Sequence, residues 1–213
     1  MNCKSIWMEL GALDIANQFK LIYDKNIWKG DRETICGWGS TLEGTEVIRK
    51  ELSKILSKLK VKSFIDCGCG DYSWMSKMDW TGIDYIGIDI VEDMIIENKK
   101  KYPGVSFRVA NILDGIPAVD VVFIRDVLAH LSLKDIGIFL KKVRNSGSKY
   151  LIASTYTTAT TNHESLSAKF KNRNLILSPF NLPEPMIYLK DRNLKYGKPT
   201  PGRGMGVWNV TEL

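Results

Sequence analysis

Phe64-Ile65-Asp66-Cys67-Gly68-Cys69-Gly70-Asp71 is an apolar run that ends in an acidic, glycine-rich turn. Glycine at 68 and 70 lets the backbone bend sharply and approach a bound nucleotide with no Cβ in the way. A second run, Tyr85-Ile86-Gly87-Ile88-Asp89, ends in a carboxylate 23 residues after Asp66, where an acid can accept hydrogen bonds from both hydroxyls of a ribose. Charge decides which nucleoside suits the turn. Carboxylates at Asp66 and Asp71 repel a pyrophosphate and attract a ligand bearing an ammonium and a sulfonium. The dinucleotide pattern also expects a third glycine at 73, where this chain has Ser73.

Acceptor chemistry is expected beyond the carboxyl ends of later strands, which brings forward Arg125, Asp126 and His130, then Thr155 and Tyr156. Asp126 can orient a hydroxyl or amine; the competing reading is an ion pair with its neighbour Arg125 or a helix cap. His130 has an ordinary pKa near 6.5 and can act as a general base, yet in Val127-Leu128-Ala129-His130-Leu131 it also reads as a packed structural histidine. Trp28 and Trp38, near Gly37, Gly39 and Ser40, suit a lid over an adenine or a sulfonium, or plain core packing. Trp74 and Trp80 read as core. Ser178-Pro179-Phe180-Asn181-Leu182-Pro183 is either a pocket wall or a connector.

The elements that must position these groups follow from periodicity. Strands are predicted at Val61 to Asp66, Asp84 to Asp89, Val105 to Ala110, Val119 to Ile124 and Tyr150 to Ser154, with closing strands at Met186 to Leu189 and Met205 to Val210. A helix is expected after the glycine turn. Val47, Ile48, Leu52, Ile55, Leu56 and Leu59 fall at helical spacing, with Ser40, Thr41 or Thr45 available as a cap, and Ser132 with Asp135 resembles a capping box opening Leu133 to Arg144. Residues 1 to about 60, with Trp7, Trp28 and Trp38, read as helical. Strands alternating with helices thereafter imply a parallel sheet.

In this order the motifs resemble those of class I S-adenosylmethionine-dependent methyltransferases over residues 45 to 213: Asp66-Cys67-Gly68-Cys69-Gly70 first, Gly87-Ile88-Asp89-Ile90 second, Ala110-Asn111-Ile112 third, and Asp120 to Leu131 as the fourth strand and its loop. Asn111 stands where the family more often has Asp. The resemblance implies a Rossmann-like α/β fold, a mostly parallel seven-stranded sheet with helices on both faces, in a single domain with residues 1–44 as an N-terminal helical cap. It implies S-adenosylmethionine as cofactor, with Asp66, Gly68 and Gly70 at the methionine moiety, Asp89 at the ribose, Asn111 and Ile112 at the adenine, and Ile90, Arg125 and Trp38 completing the site. A narrower likeness, through the Trp/Gly-Ser leader, Arg125-Asp126 and Ser178 to Asn181, is to a group of bacterial and viral methyltransferases; it carries no acceptor. The expected reaction is methyl transfer to an oxygen or nitrogen of a small polar metabolite or sugar. A nucleic-acid or protein acceptor, a non-catalytic partner subunit and a nicotinamide-dependent oxidoreductase are the alternatives.

Bulk composition fits this reading. With 213 residues, 44% hydrophobic and 25% charged, the chain suits one core and has no run long enough for a membrane span. Its N-terminus lacks the pattern of a secretory signal, so a cytoplasmic location is expected. The net charge of +6 permits nucleic-acid contact, but the cations are scattered, and Lys99 to Lys101 read as a helix end. Cys3, Cys36, Cys67 and Cys69 suggest reduced thiols, and with only His130 and His163 to complete a metal set, no metal is expected.

Overall fold

Valine, isoleucine and phenylalanine dominate the central runs because a strand in the middle of a parallel sheet is covered on both faces. In the computed structural model, which describes residues 13–28, 33–165, 168–191, 194–195, 198–199 and 201–213, these runs form β1 (Ser63–Cys67), β2 (Asp84–Asp89), β3 (Ser106–Val109), β4 (Val121–Ile124) and β5 (Tyr150–Tyr156). All four residues of β4 are buried. Strand β6 (Ile187–Lys190) follows, then a separate pair, β7 (Leu194–Lys195) with β8 (Lys198–Pro199), and finally β9 (Arg203–Asn209). The main sheet has the order β3-β2-β1-β4-β5-β9-β6. Its first five strands run parallel, and β9 pairs antiparallel with both β5 and β6. The order reverses between β1 and β4, which opens a crevice at their carboxyl ends.

Helices cover both faces. Alternate strand residues such as Phe64, Phe123 and Ile152 pack with α2 (Glu46–Lys58) and with Ile95 of α3 (Glu92–Lys101). The opposite set, including Ile65, Val122 and Leu151, packs with Ile136, Phe139, Leu140 and Val143 of α4 (Leu133–Arg144). Ile15 and Phe19 of α1 (Ile15–Asp24) lean against that second core. Ser132 caps α4 by accepting from the Asp135 N–H, while its hydroxyl donates to the Asp135 carboxylate. The α2 cap position is Thr45, whose hydroxyl donates to the Thr41 carbonyl instead of accepting from the helix. Among the described residues, no helix is long and apolar enough to cross a membrane.

Three expectations about the elements need correction. After the glycine turn there is no α-helix, only a 3-10 turn at Met75–Lys77: Trp74 and Met75 are both buried, and the Trp80 indole N–H donates to the Met75 carbonyl, so the segment plugs the core instead of lying along it. Between α1 and α2 the described chain is also irregular apart from a 3-10 turn at Trp38–Ser40, because threonine side chains compete for the backbone: Thr34 Oγ1 accepts from Cys36 N, and Thr41 Oγ1 from Gly44 N. Strand β5 extends to Tyr156, two residues past the predicted end, because β9 pairs with it along its whole length. Cys3 and Trp7 lie outside the described residues.

Candidate functional site

The tips of β1 and β2 are neighbours in register, Cys67 opposite Ile88. Both Gly68 N and Cys69 N donate to the Ile88 carbonyl, at 2.8 and 3.0 Å, so the turn folds back over the second tip. Gly68 has φ +80° and Gly70 φ +56°, and a Cβ on Gly68 would lie 2.3 Å from Val127 Cγ2. Gly68→Ala is therefore expected to cost roughly 1–3 kcal/mol of stability through overpacking and left-handed strain, read as a lower urea midpoint.

Asp89 is buried at the end of β2, its Oδ2 accepting from Gly70 N at 3.1 Å and its Oδ1 from Val91 N at 3.0 Å. Burial raises its pKa, and these N–H groups oppose the rise. Asp66, one strand over, accepts from the Tyr85 hydroxyl at 2.8 Å. Burial pushes it up to about 7 against that hydrogen bond, so it exchanges its proton near neutrality. Asp71 accepts from Ile35 N and Ser73 N, both at 3.1 Å, which ties the segment before Trp38 to the turn.

Beyond β4, Asp126 has φ +62° and meets a charge network. Arg203 of β9 donates to Asp126 and also to Asp191, while Arg125 holds Asp191 with Nε and Nη2, each at 2.9 Å. Arg125 Nη1 lies 3.8 Å from the Asp126 carboxylate and donates to the Gly39 carbonyl at 2.6 Å; its guanidinium carbon sits 5.4 Å from the Trp74 ring centre. Tyr156 adds a hydroxyl donor to Asp126 at 3.1 Å, and Asp126 N donates to Ser154 Oγ at 3.0 Å. Burial alone would raise the Asp126 pKa, but Arg203 and Arg125 overcome it and hold the carboxyl below its usual range.

His130 sits in a 3-10 turn (Leu128–His130) among aromatic rings, with Trp28 at 4.8 Å and Phe170 at 5.4 Å between centroids. Its Nδ1 is 3.2 Å from the Ala168 carbonyl. A carbonyl only accepts, so this contact assigns the proton to Nδ1 and leaves a lone pair on Nε2. Burial lowers the imidazole pKa, partly opposed by the Ala168 hydrogen bond and by Asp126.

One cavity of about 640 Å³ joins these groups, bordered by Asp66, Gly68, Gly70, Asp89, Ile90, Asn111, Ile112, Arg125, Asp126, His130 and Trp38. Asn111 Oδ1 accepts from Leu113 N at 2.9 Å, which turns its amide NH₂ away from that bond. Phe19, Trp28 and Trp38 come to the cavity from the N-terminal segment. Three of the candidates do not border the cavity, and of these Tyr156 reaches it only through its hydrogen bond to Asp126. Thr155 is fully buried and accepts from Leu175 N, and the Ser178 to Pro183 loop does not border the cavity: its Phe180 and Leu182 fill the core, and its Pro183 carbonyl accepts from the Trp208 indole. Trp74, read as core alone, is core and cavity wall at once. Arg203, Asp191 and Cys36 were not foreseen; 77 residues separate Asp126 from Arg203, and no local pattern links them.

Residues 58–196 match the sequence model of a family described as a methyltransferase domain. No curated protein matches the chain. Among solved structures, magnesium protoporphyrin IX methyltransferase from Synechocystis PCC 6803 with bound S-adenosylmethionine superposes with TM-score 0.60 at 16% identity, covering 93% of this chain and 98% of that one. A second structure of that protein, with S-adenosylhomocysteine, aligns over 55% of this chain and 58% of the other at 21% identity and TM-score 0.47. The methyltransferase domain of bacterial CtHen1 gives TM-score 0.57 at 15% identity over 79% and 98%, and DhpI with S-adenosylhomocysteine gives 0.56 at 14% over 91% and 93%. These likenesses concern the fold, and the family match concerns the sequence that builds the crevice. The chain belongs to the class I S-adenosylmethionine-dependent methyltransferases.

Proposed function

We propose that this methyltransferase acts on a hydroxyl or amine of a small polar metabolite, sugars included, enclosed beneath residues 13–28 and 33–44. The observation that carries the reading is the pairing of the two arginines that border the cavity. Arg125 and Arg203 are both bound to Asp191, and Arg203 also to Asp126, so neither stands ready to neutralise a polymer's phosphates. The roof of Phe19, Trp28 and Trp38 further suits a compact acceptor.

The residues present fit the donor. Asp89 keeps lone pairs beyond those given to Gly70 and Val91, which suits two ribose hydroxyls, and Asp66 with the glycine turn suits an ammonium. Asn111 and Ile112 suit an adenine edge and face, with Ile90 and Trp38 closing the site. Bound S-adenosylmethionine supplies a methyl group on a sulfonium, open to in-line attack. Asp126 is the orienting group, because two guanidiniums make its carboxylate a good acceptor and a poor base. His130 is the base, because its Nε2 lone pair persists at neutral pH. Arg125 positions both Asp126 and the Gly39 segment.

Asp89→Ala is expected to weaken S-adenosylhomocysteine binding by roughly 1–3 kcal/mol in calorimetry, the range for a lost charge-assisted hydrogen bond. Unchanged affinity would remove the ribose from this strand tip. The acceptor class is tested by offering labelled methyl donor with hydroxyl- and amine-bearing metabolites, RNA, DNA and protein. Label appearing in a polymer alone, with a steep salt dependence for nucleic acid, would overturn the small-molecule reading.

A further inference from the structure

Phe170 and Asn172 border the main cavity and also a second one of about 320 Å³, whose remaining wall is Ala159, Thr160, Thr161, His163 and Lys171. The two spaces differ in charge. Four carboxylates, Asp66, Asp71, Asp89 and Asp126, outnumber the two paired guanidiniums of Arg125 and Arg203 in the first, and among the described residues no Asp or Glu lines the second. Lys171 makes no ion pair among the described residues. The nearby acid Glu164 is turned elsewhere, its Oε1 accepting from Leu133 N at the start of α4 and from Ser165 N.

This wall belongs to neither a helix nor a strand, yet buried polar groups hold it. Asn162 Nδ2 donates to the Asn174 and Ser178 carbonyls at 2.8 and 2.9 Å, and its Oδ1 accepts from Asn174 N at 2.9 Å. Asn174 Nδ2 reaches the Ala159 carbonyl at 3.0 Å. Arg173, only 1% exposed, donates to the His163 and Leu131 carbonyls and to Ser165 Oγ and makes no ion pair within 4 Å among the described residues, Glu164 acting on it only from farther away. Burying an arginine on neutral acceptors is costly, and here it fixes the backbone that presents His163. Thr161 Oγ1 and His163 Nε2 lie 2.7 Å apart, and Thr160, Thr161, His163, Lys171 and Asn172, all exposed, line this space on its solvent side.

We propose that the second cavity is a subsite for an anionic oxygen group, a phosphate monoester or similar oxyanion, carried by the small acceptor whose reacting hydroxyl or amine lies by Asp126 and His130. Acidic and basic spaces that share one wall sort the two ends of such a molecule and fix which end meets the methyl donor. This rests on the small-acceptor reading above.

The chain has two histidines, one on each cavity, so a ¹⁵N-histidine-labelled sample reports on both. Methyl phosphate, added at constant ionic strength to the full chain with S-adenosylhomocysteine, is expected to shift the His163 resonances saturably and to leave those of His130 nearly still. In Lys171→Ala the midpoint should rise about tenfold, as for one lost charge-assisted contact. No shift at His163, a shift matched by chloride, or an unchanged midpoint in Lys171→Ala would overturn the subsite. A His163 response to a short single-stranded oligonucleotide but not to methyl phosphate would overturn it in favour of a polymer. S-adenosylhomocysteine alone should move His130; if it does not, the reading of the main cavity fails, while the methyl phosphate titration still judges the second.

Discussion

His130→Gln lowers kcat by about 10²- to 10⁴-fold, the contribution typical of a positioned general base, while S-adenosylhomocysteine affinity stays close to that of the unaltered chain. Glutamine retains an amide N–H able to approach the Ala168 carbonyl but has no basic nitrogen, so the substitution separates proton transfer from packing. The measurement is release of S-adenosylhomocysteine with whichever acceptor the labelled-donor experiment identifies. The pH dependence gives a second readout. A base works deprotonated, and burial holds His130 below its ordinary 6.5, so, with the methyl donor saturating and Asp66 thereby already engaged, kcat/KM for the acceptor falls as pH drops through the depressed His130 pKa. His130→Gln should lack that acidic limb. A normal kcat with the limb intact would reduce His130 to a packing residue.

Arg203→Met is expected to cost about 3–5 kcal/mol of stability, because it strands buried charge instead of removing a balanced pair. Asp191 has a fully buried side chain and Asp126 a mostly buried one, and the change leaves both carboxylates with Arg125 alone. Urea denaturation reads the loss as a lower midpoint with the same slope. The acid side of the stability curve carries the same information. The Asp126 pKa lies below its ordinary 3.8 in the folded chain, so its contribution is present above that value and is lost as pH falls through the folded value. In Arg203→Met that limb should shrink. A loss no larger than that from Lys20→Ala, which breaks only exposed pairs with Asp24 and Asp93, would mean that the network is loosely solvated.

What was readable in advance was whatever the chain encodes locally. Asp66 to Gly70 and Tyr85 to Asp89 each place a strand and its tip within a few residues, and the sheet that brings the tips together follows from the spacing of the apolar runs. The missed parts are long-range. Arg203 reaches Asp126 and Asp191 only because β9 inserts beside β5, and Cys36 lies beneath Gly70, where an added Cβ would come within 2.6 Å of its sulfur, only because residues 33–40 fold over the turn. A helix is expected after the glycine turn, yet burial of Trp74 and Met75 on one side of the sheet outweighs helical geometry there. The Ser178 to Pro183 loop could be read two ways, as pocket wall or connector, because its prolines mark irregular backbone without saying which way Phe180 and Leu182 point; they point into the core.

Because β9 lies between β5 and β6, the order of synthesis differs from the order of assembly. A nascent chain that has emerged through β5, and even through β6, still has an open edge of unsatisfied amides and carbonyls at the middle of its sheet, and Asp126 still lacks the Arg203 guanidinium. Both wait for residues 203–209 to leave the ribosome. The sheet therefore closes only once β9 has been made, and until then the β5 edge is open to pairing with a neighbouring chain.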